Sequence, residues 1–281
     1  MKKGKHIVRD VVVWSIFILG FSKRYKKKLR KNGSLVRVLC FHDVPNAEPF
    51  GKLLQFLQEN YNVITPEQFH CQVFSEDKIN ILLTFDDGYQ SWTDVVMPVL
   101  EEYAVKGLFF VNSGLLDAAE EGRESTKVFV QNRLRLVQDY QIITWKGVEK
   151  LSAAGHTIGG HTVTHPNLAE LEIADVRDEV FKDKKRLEGY LGVEILDFAY
   201  PFGTMSHYTS YTTNLVSEEG YEYIYTAEAA FWDGRANVIP RTLMEYDKTK
   251  ETVKIWIEGG YDIFKLLYSM IHEIFFSFHK K

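Results

Sequence analysis

Two carboxylates stand side by side at the end of an apolar run, Asp86 and Asp87 in "ILLTFDDGYQS" (81–91), and two imidazoles stand four residues apart in "GHTVTHP", His161 and His165. Adjacent side chains on a strand point to opposite faces, so neighbouring aspartates at a strand end can do different work. One carboxylate with two imidazoles makes a three-ligand set that leaves positions on a divalent cation open to water or substrate. Histidines four apart share one side of a helical turn or a tight loop. An isolated His-x-x-x-His is commonly a surface coincidence; beside a strand-terminal Asp-Asp-Gly it carries more weight.

The elements that must position these groups follow from the apolar pattern. "LVRVLCF" (35–41), "INILLTF" (79–85), "KGLFFV" (106–111), "HTIGGH" (156–161), "ILDFAYP" (195–201) and "YEYIYTA" (221–227) read as strands. "SWTDVVMPVLEEYA" and "ELEIADVRDEVFKDKKRLEGYLG" between them have helical spacing, the second closed by Gly192. Alternating strands and helices predict a parallel sheet covered on both faces, and six or seven such units favour a barrel over an open sheet. Active sites of such sheets lie at the C-terminal ends of the strands. Several runs end there on polar groups: His42 and Asp43, Asp86 and Asp87, His161 and His165, and the "FAYPFG" turn. Residues 112–142 read as a variable insertion.

With 281 residues and 45% hydrophobic content, the chain can bury a full core, which excludes disorder. Cys40 and Cys71 match no metal or redox spacing and read as free thiols. Charge divides the chain sharply. Residues 1–31 hold eleven Lys/Arg against Asp10 alone, a charge of +10, so the remainder of a chain of net −4 carries −14. Between two basic clusters lies "VVVWSIFILGF" (11–21), too short to span a bilayer unaided. The expectation is a membrane-interface segment over 1–31 with its cations on anionic headgroups. A signal anchor, a nucleic-acid-binding arm and a helix packed on the domain are the alternatives. The main domain is then 32–250, and the aromatic-rich 251–281 is either a second interfacial helix or a core helix. The protein is expected at a membrane, on a side the sequence leaves open, with no nucleic-acid partner.

"LTFDDGY", "GHTIGGHTVTHPNL" and "FAYPFG" occur in that order, and with them residues 35–245 resemble the polysaccharide deacetylases, the NodB-homology domain or carbohydrate esterase family 4. The resemblance implies a distorted (β/α)7 barrel, in agreement with the strand pattern. It implies Asp86 as catalytic base and Asp87, His161 and His165 as ligands of a divalent metal, with zinc favoured and nickel, cobalt or iron as alternatives. The backbone N–H of Phe202 would donate to the oxyanion, and Tyr200, Pro201 and Gly203 of the same turn would meet substrate. Without the neighbouring motifs, "FAYPFG" would read as an ordinary proline turn. Trp145 and Trp232 are candidates either for stacking on sugar rings or for packing.

Two departures from the common family pattern bear on mechanism. The arginine that usually precedes the motif's proline is replaced by Ala199, and the late strand that usually supplies a histidine acid is not evident. The chain is similar to a circularly permuted branch that includes poly-N-acetylglucosamine deacetylases. In that branch an early strand ending in an aromatic residue and histidine supplies the acid, here His42 of "VLCFHDV". An arginine after a late proline pairs with the base, here Arg241 of "VIPRTLM". The implied activity is metal-dependent removal of N-acetyl groups from N-acetylglucosamine-like sugars in a polysaccharide or glycan precursor. A deformylase acting on a sugar-lipid, or a glycan-binding barrel without turnover, are the alternatives.

Overall fold

Strands covered on both faces have no polar side to show, so they read as unbroken apolar runs. The computed structural model, which describes residues 14–263 apart from 16 and 18, places one strand in each of the six expected runs. These are β1 (Val36–Phe41), β3 (Asn80–Asp86), β4 (Leu108–Val111), β5 (Thr157–Gly160), β6 (Asp197–Ala199) and β7 (Tyr223–Tyr225). Three short strands lacked a readable pattern: β2 (Asn62–Val63), β8 (Val238–Ile239) and β9 (Arg241–Leu243). The ladders between them are parallel, in the order β8-β7-β6-β5-β4-β3-β1-β9, with β2 beside the start of β3.

Closure comes from one late segment. Pro240 lacks the N–H that a continuous ladder needs and parts β8 from β9. On one side of it β8 pairs with β7, and on the other β9 pairs with β1, Val38 standing opposite Arg241. The segment 238–243 thus completes a seven-stranded α/β barrel of the expected (β/α)7 kind.

Register decides which residues fill the interior. Val36, Val38, Leu82, Leu108, Phe110, Ala199, Tyr225 and Ile239 form an inner cluster, while alternate residues such as Leu39, Leu83, Phe109 and Phe198 pack outward under the helices. Gly159 stands beside Phe110 in the β4–β5 ladder; a Cβ there would lie 2.5 Å from that ring, so only glycine fits. Phe69 and Trp232, with ring centroids 4.6 Å apart, plug the floor where the strands begin, and the Trp232 N–H donates to Val36.

The helix Ile173–Leu191 ends as expected at Gly192, whose φ of 68° is left-handed. Residues 112–142 are a built part of the fold: helices Ser113–Glu121 and Arg123–Phe129 and a π turn Val130–Leu134 precede a loop. The helix Lys250–Ile257 covers β1, where Arg37 donates to Ile257 O and pairs with Asp262 at 2.8 Å. Residues 1–13 and 264–281, which carry part of each expected interfacial element, lie outside the described residues. Among the described residues no helix is long and apolar enough to cross a membrane.

His156 belongs to this frame: at the floor end of β5, its Nδ1 accepts from Gly107 N at 3.1 Å. Burial, with help from Lys106, pushes its pKa down to about 4. A histidine that resists charging when folded binds fewer protons than when unfolded, so its contribution is complete above about pH 6.5 and lost as pH falls toward 4. Denaturant unfolding at pH 7 and pH 5 is expected to differ by about 2 kcal/mol from this group alone. His156→Asn, which keeps an acceptor but cannot protonate, is expected to remove that part of the slope.

Candidate active site

Strand alternation and the turns after the strands assign the groups at the barrel mouth. Asp86, the last residue of β3, points inward and stands in register with Phe110. Simple alternation would send Asp87 outward among the helices. Its φ of 85°, followed by Gly88 at 89°, instead turns the chain so that Asp87 stays at the mouth. Thr162 (71°), His165 (55°) and Phe202 (59°) also have left-handed backbones. Non-glycine residues in this region are costly, and they cluster where a site over-determines the chain.

Asp86 is buried and held by Arg241 in a two-pronged pair, with Nη1 to Oδ1 at 2.6 Å and Nη2 to Oδ2 at 2.7 Å. Arg241 is itself fixed by Nε donating to Thr226 O at 3.0 Å and by Nη1 near Thr84 Oγ1 at 3.3 Å. Burial alone would raise the Asp86 pKa; the Arg241 charge and hydrogen bonds, with the nearby imidazoles, outweigh it and hold the carboxyl below its ordinary range. The same carboxylate accepts from Cys40 Sγ at 3.3 Å, and burial pushes the Cys40 thiol well up.

Asp87, His161 and His165 form a second, buried group. Asp87 Oδ1 lies 3.5 Å from His161 Nε2 and 3.4 Å from His165 Nε2, and it has no hydrogen-bond partner. His161 Nδ1 contacts Ala199 O at 2.7 Å, the contact that leaves Nε2 free to face Asp87. An orphaned carboxylate oxygen converging on two imidazole nitrogens fits a divalent cation better than it fits a hydrogen-bond network. Burial opposes ionisation of Asp87, yet the His161 contact and the other imidazoles hold it well below the ordinary range. Burial pushes His165 down to about 4; it opposes protonation of His161 too, but the two carboxylates outweigh it and raise that pKa. Ligation needs unprotonated imidazoles, so cation binding here competes with protonation of His161 and weakens as pH falls.

The loop that carries both histidines is gripped from two sides. Asn112 Nδ2 donates to the carbonyls of His161 and Thr162. Asp183, fully buried, accepts from His161 N at 3.0 Å and Ser113 N at 2.9 Å, while Glu179 accepts from Thr164 N at 2.8 Å. Burial drives the Asp183 pKa up to about 6 in spite of those donors. The sequence reading missed Asp183, although a signal was present: it falls among Val176, Val180 and Leu187 on the buried side of its helix, where an acid has no place without a partner.

These groups open on one cavity of about 590 Å³, lined also by His42, Tyr89, Tyr200, Phe202 and Arg241. His42 is half-exposed, with Nε2 3.9 Å from Asp87 Oδ2. The Phe202 ring lies 4.7 Å from that of His165. Gly203 allows the turn to close on Ala227, whose N–H donates to Gly203 O at 2.7 Å; a Cβ at Gly203 would collide with that nitrogen. Pro201 is buried beside it without lining the cavity. Leu134, Leu136 and Tyr140 from the 112–142 segment form part of the wall. The structure does not bring Trp232 to the site: it is the floor plug, at the opposite end of the barrel, with Nε1 bonded to Ala236 O at 2.8 Å. Trp145 is likewise spent on packing against Tyr190 and on Asp117.

Since Asp183 holds the His161 backbone and not the imidazole, Asp183→Asn is expected to weaken binding of a divalent cation about tenfold. Asp87→Ala is expected to abolish it. Competition against a chromophoric chelator measures both; equal affinities for the wild type and Asp183→Asn would show that Asn112 and Glu179 suffice to hold the loop.

Residues 75–224 match the family profile of the polysaccharide deacetylases, a span with Asp86, Asp87, His161, His165 and Phe202 but neither His42 nor Arg241. The peptidoglycan-N-acetylmuramic acid deacetylase PdaA of Bacillus subtilis is 29% identical over 200 residues, 70% of this chain and 60% of that protein. A chitooligosaccharide deacetylase of Bradyrhizobium is 31% identical over 102 residues, 36% of this chain and 35% of that protein. The chain thus spans about 60% of the length of the first of these relatives. Among solved structures, the Streptococcus pyogenes deacetylase PplD superposes with a TM-score of 0.63 at 21% identity, over 79% of this chain and 98% of that one. IcaB from Ammonifex degensii gives 0.60 at 22%, over 80% and 98%. The solved structures share the fold; the profile match, over more than half of the sequence and through the residues at the mouth, means that the chain belongs to the polysaccharide deacetylase family.

Proposed function

We propose that the protein hydrolyses N-acetyl groups from N-acetylglucosamine-like sugars of a polysaccharide or glycan precursor, in a metal-dependent reaction that yields a free amine and acetate. The observation that carries this reading is the unpartnered Asp87 Oδ1 facing two imidazoles, beside a second carboxylate with a separate partner in the same cavity. The relatives' names support it, since they are deacetylases of N-acetylated glycans. The cavity volume suits a sugar unit bound with its acetamide directed inward.

Asp87, His161 and His165 would hold the cation, with zinc the first choice for this ligand set and nickel, cobalt or iron as alternatives. When bound it supplies Lewis acidity toward the acetamide carbonyl and lowers the pKa of water at the site. Asp86 takes the proton from that water as its oxygen attacks the acetyl carbon. Arg241 keeps Asp86 ionised and aims it, having both guanidinium prongs on the carboxylate. The Phe202 backbone N–H offers a donor to the oxyanion. As the C–N bond breaks, His42 gives a proton to the departing nitrogen, and the amine leaves with acetate retaining the water oxygen. A purely binding barrel would need the three ligands but gains nothing from a fixed, ionised Asp86.

Acetate release from N-acetylated chitooligosaccharides, followed with and without a chelator, tests the reaction: release is expected, and chelation is expected to stop it. Asp86→Asn should lower kcat by about 10³-fold while zinc content stays unchanged. Oligosaccharide binding without acetate release would sink the enzymatic reading. Arg241→Met leaves a buried carboxylate uncompensated and is expected to destabilise the fold by about 3–5 kcal/mol, much of it recovered in the Asp86→Asn/Arg241→Met double variant.

A further inference from the structure

The helix Phe21–Leu29 has two unlike sides. Ser22 is buried, and Tyr25, Lys26 and Leu29 are half-buried; this spacing of three and four residues marks the face laid on the barrel. Tyr25 packs against Phe231 and Gly259, and Lys26 pairs with Glu258. Arg30, just beyond, donates to Glu76 O and, at 2.6 Å, to Asp77 O, in the loop that feeds β3. The helix is therefore fixed at the floor end, where the strands start. Its other side exposes Lys23, Arg24, Lys27 and Lys28, with Lys31 following, and none of these forms an ion pair with a described residue. Large apolar side chains lie exposed directly before them: Trp14 (41%), Leu19 (68%) and Phe21 (46%).

We propose that this face seats the barrel floor on the anionic headgroup layer of a lipid bilayer, with the active-site mouth pointing away. Exposed aromatic and aliphatic side chains beside exposed cations match the interfacial region, where the former enter the acyl boundary and the latter meet phosphates. The −14 carried by residues 32–281 sets the rest of the chain against the same surface, so the net charge favours approach by this basic face. The mouth lies beyond the length of β1, about 20 Å from the floor. The occupant of the site is then a glycan strand standing off the surface and not a lipid headgroup. Nucleic acid lacks the apolar layer that the exposed Trp14, Leu19 and Phe21 call for.

The test uses the full chain and does not depend on the reaction. Co-sedimentation is expected with phosphatidylcholine vesicles containing phosphatidylglycerol, not with phosphatidylcholine alone, and is expected to weaken at high ionic strength. Reversing Lys23, Arg24, Lys27 and Lys28 to Glu should cut the partition about a hundredfold, and Lys27→Gln/Lys28→Gln serves if that variant misfolds. For orientation, a donor fluorophore on the exposed Cys71, near the floor, should transfer to a headgroup acceptor more strongly than one on Val137→Cys in a Cys71→Ser background; Val137 is 91% exposed on the loop at the mouth. Equal binding to neutral vesicles, no effect of the charge variants, tighter binding to a DNA duplex, or equal or stronger transfer from position 137 would each overturn the proposal.

Discussion

The pair between Arg241 and Asp86 ties the closure of the barrel to its chemistry. Arg241 opens the last strand, β9, and Asp86 ends β3, with β1 between them, so the two meet only when β9 has paired with β1. Both are buried, and taking two ions out of water costs several kcal/mol each unless the geometry is good and the remaining donors are met. Here two parallel hydrogen bonds join them, and Thr226 O and Thr84 Oγ1 receive the rest of the guanidinium. An apolar core would be easier to stabilise than this one. What the pair contributes is a carboxylate of fixed position that remains ionised beside an opening to water, which is what a proton acceptor requires.

Strain is the second cost, and it is spread over the mouth. Asp87, Thr162, His165 and Phe202 keep left-handed backbones at positions without glycine. Each such residue costs on the order of 1–3 kcal/mol, so the loops must be held by something outside themselves. Asn112 and Asp183 do this for the histidine loop by taking up its backbone carbonyls and N–H, and the Ala227 N–H does it for the Phe202 turn. Asn112 and Ser113 stand at the start of the 112–142 segment, so a region that reads as a variable insertion supports the site as well as lining it.

Legibility followed the length of each signal. The runs 79–85 and 35–41 are long and apolar on both faces, and each became a strand within a residue or two. The residues with chemistry at strand ends were legible for the same reason: strand direction alone gathers His42, Asp86, Asp87, His161 and His165 at one mouth. β8 and β9 were not legible as strands, because two or three residues around a proline give no period, although Arg241 was singled out on the motif it stands in. Asp87 shows a different limit. Alternation predicted separate faces for the two aspartates, but a φ of 85° and not the pleat directs the second. Trp232 shows a third: an indole in a loop has the same letter whether it stacks on a sugar or plugs a floor, and only its distance from Phe69 decides.

The two ends of the barrel solve the burial of polar groups in opposite ways. At the floor, Asp197 accepts from the Tyr225 hydroxyl at 2.8 Å and meets His70 Nε2 at 2.9 Å, so one inward carboxylate oxygen is doubly met. Phe69 and Trp232 then seal that end from water. At the mouth, Asp87 Oδ1 is left unmet among imidazoles, and among the described residues no aromatic plug closes over it. A fold whose interior satisfies its other inward carboxylates has the means to satisfy this one. An oxygen left bare next to two nitrogen ligands is therefore a feature that the surrounding hydrogen bonds preserve: His161 turned by Ala199, its backbone held by Asp183, its carbonyl by Asn112. The interactions around the histidine loop go to keeping that oxygen available, and Asp86, locked by Arg241, stands beside it with the opposite assignment.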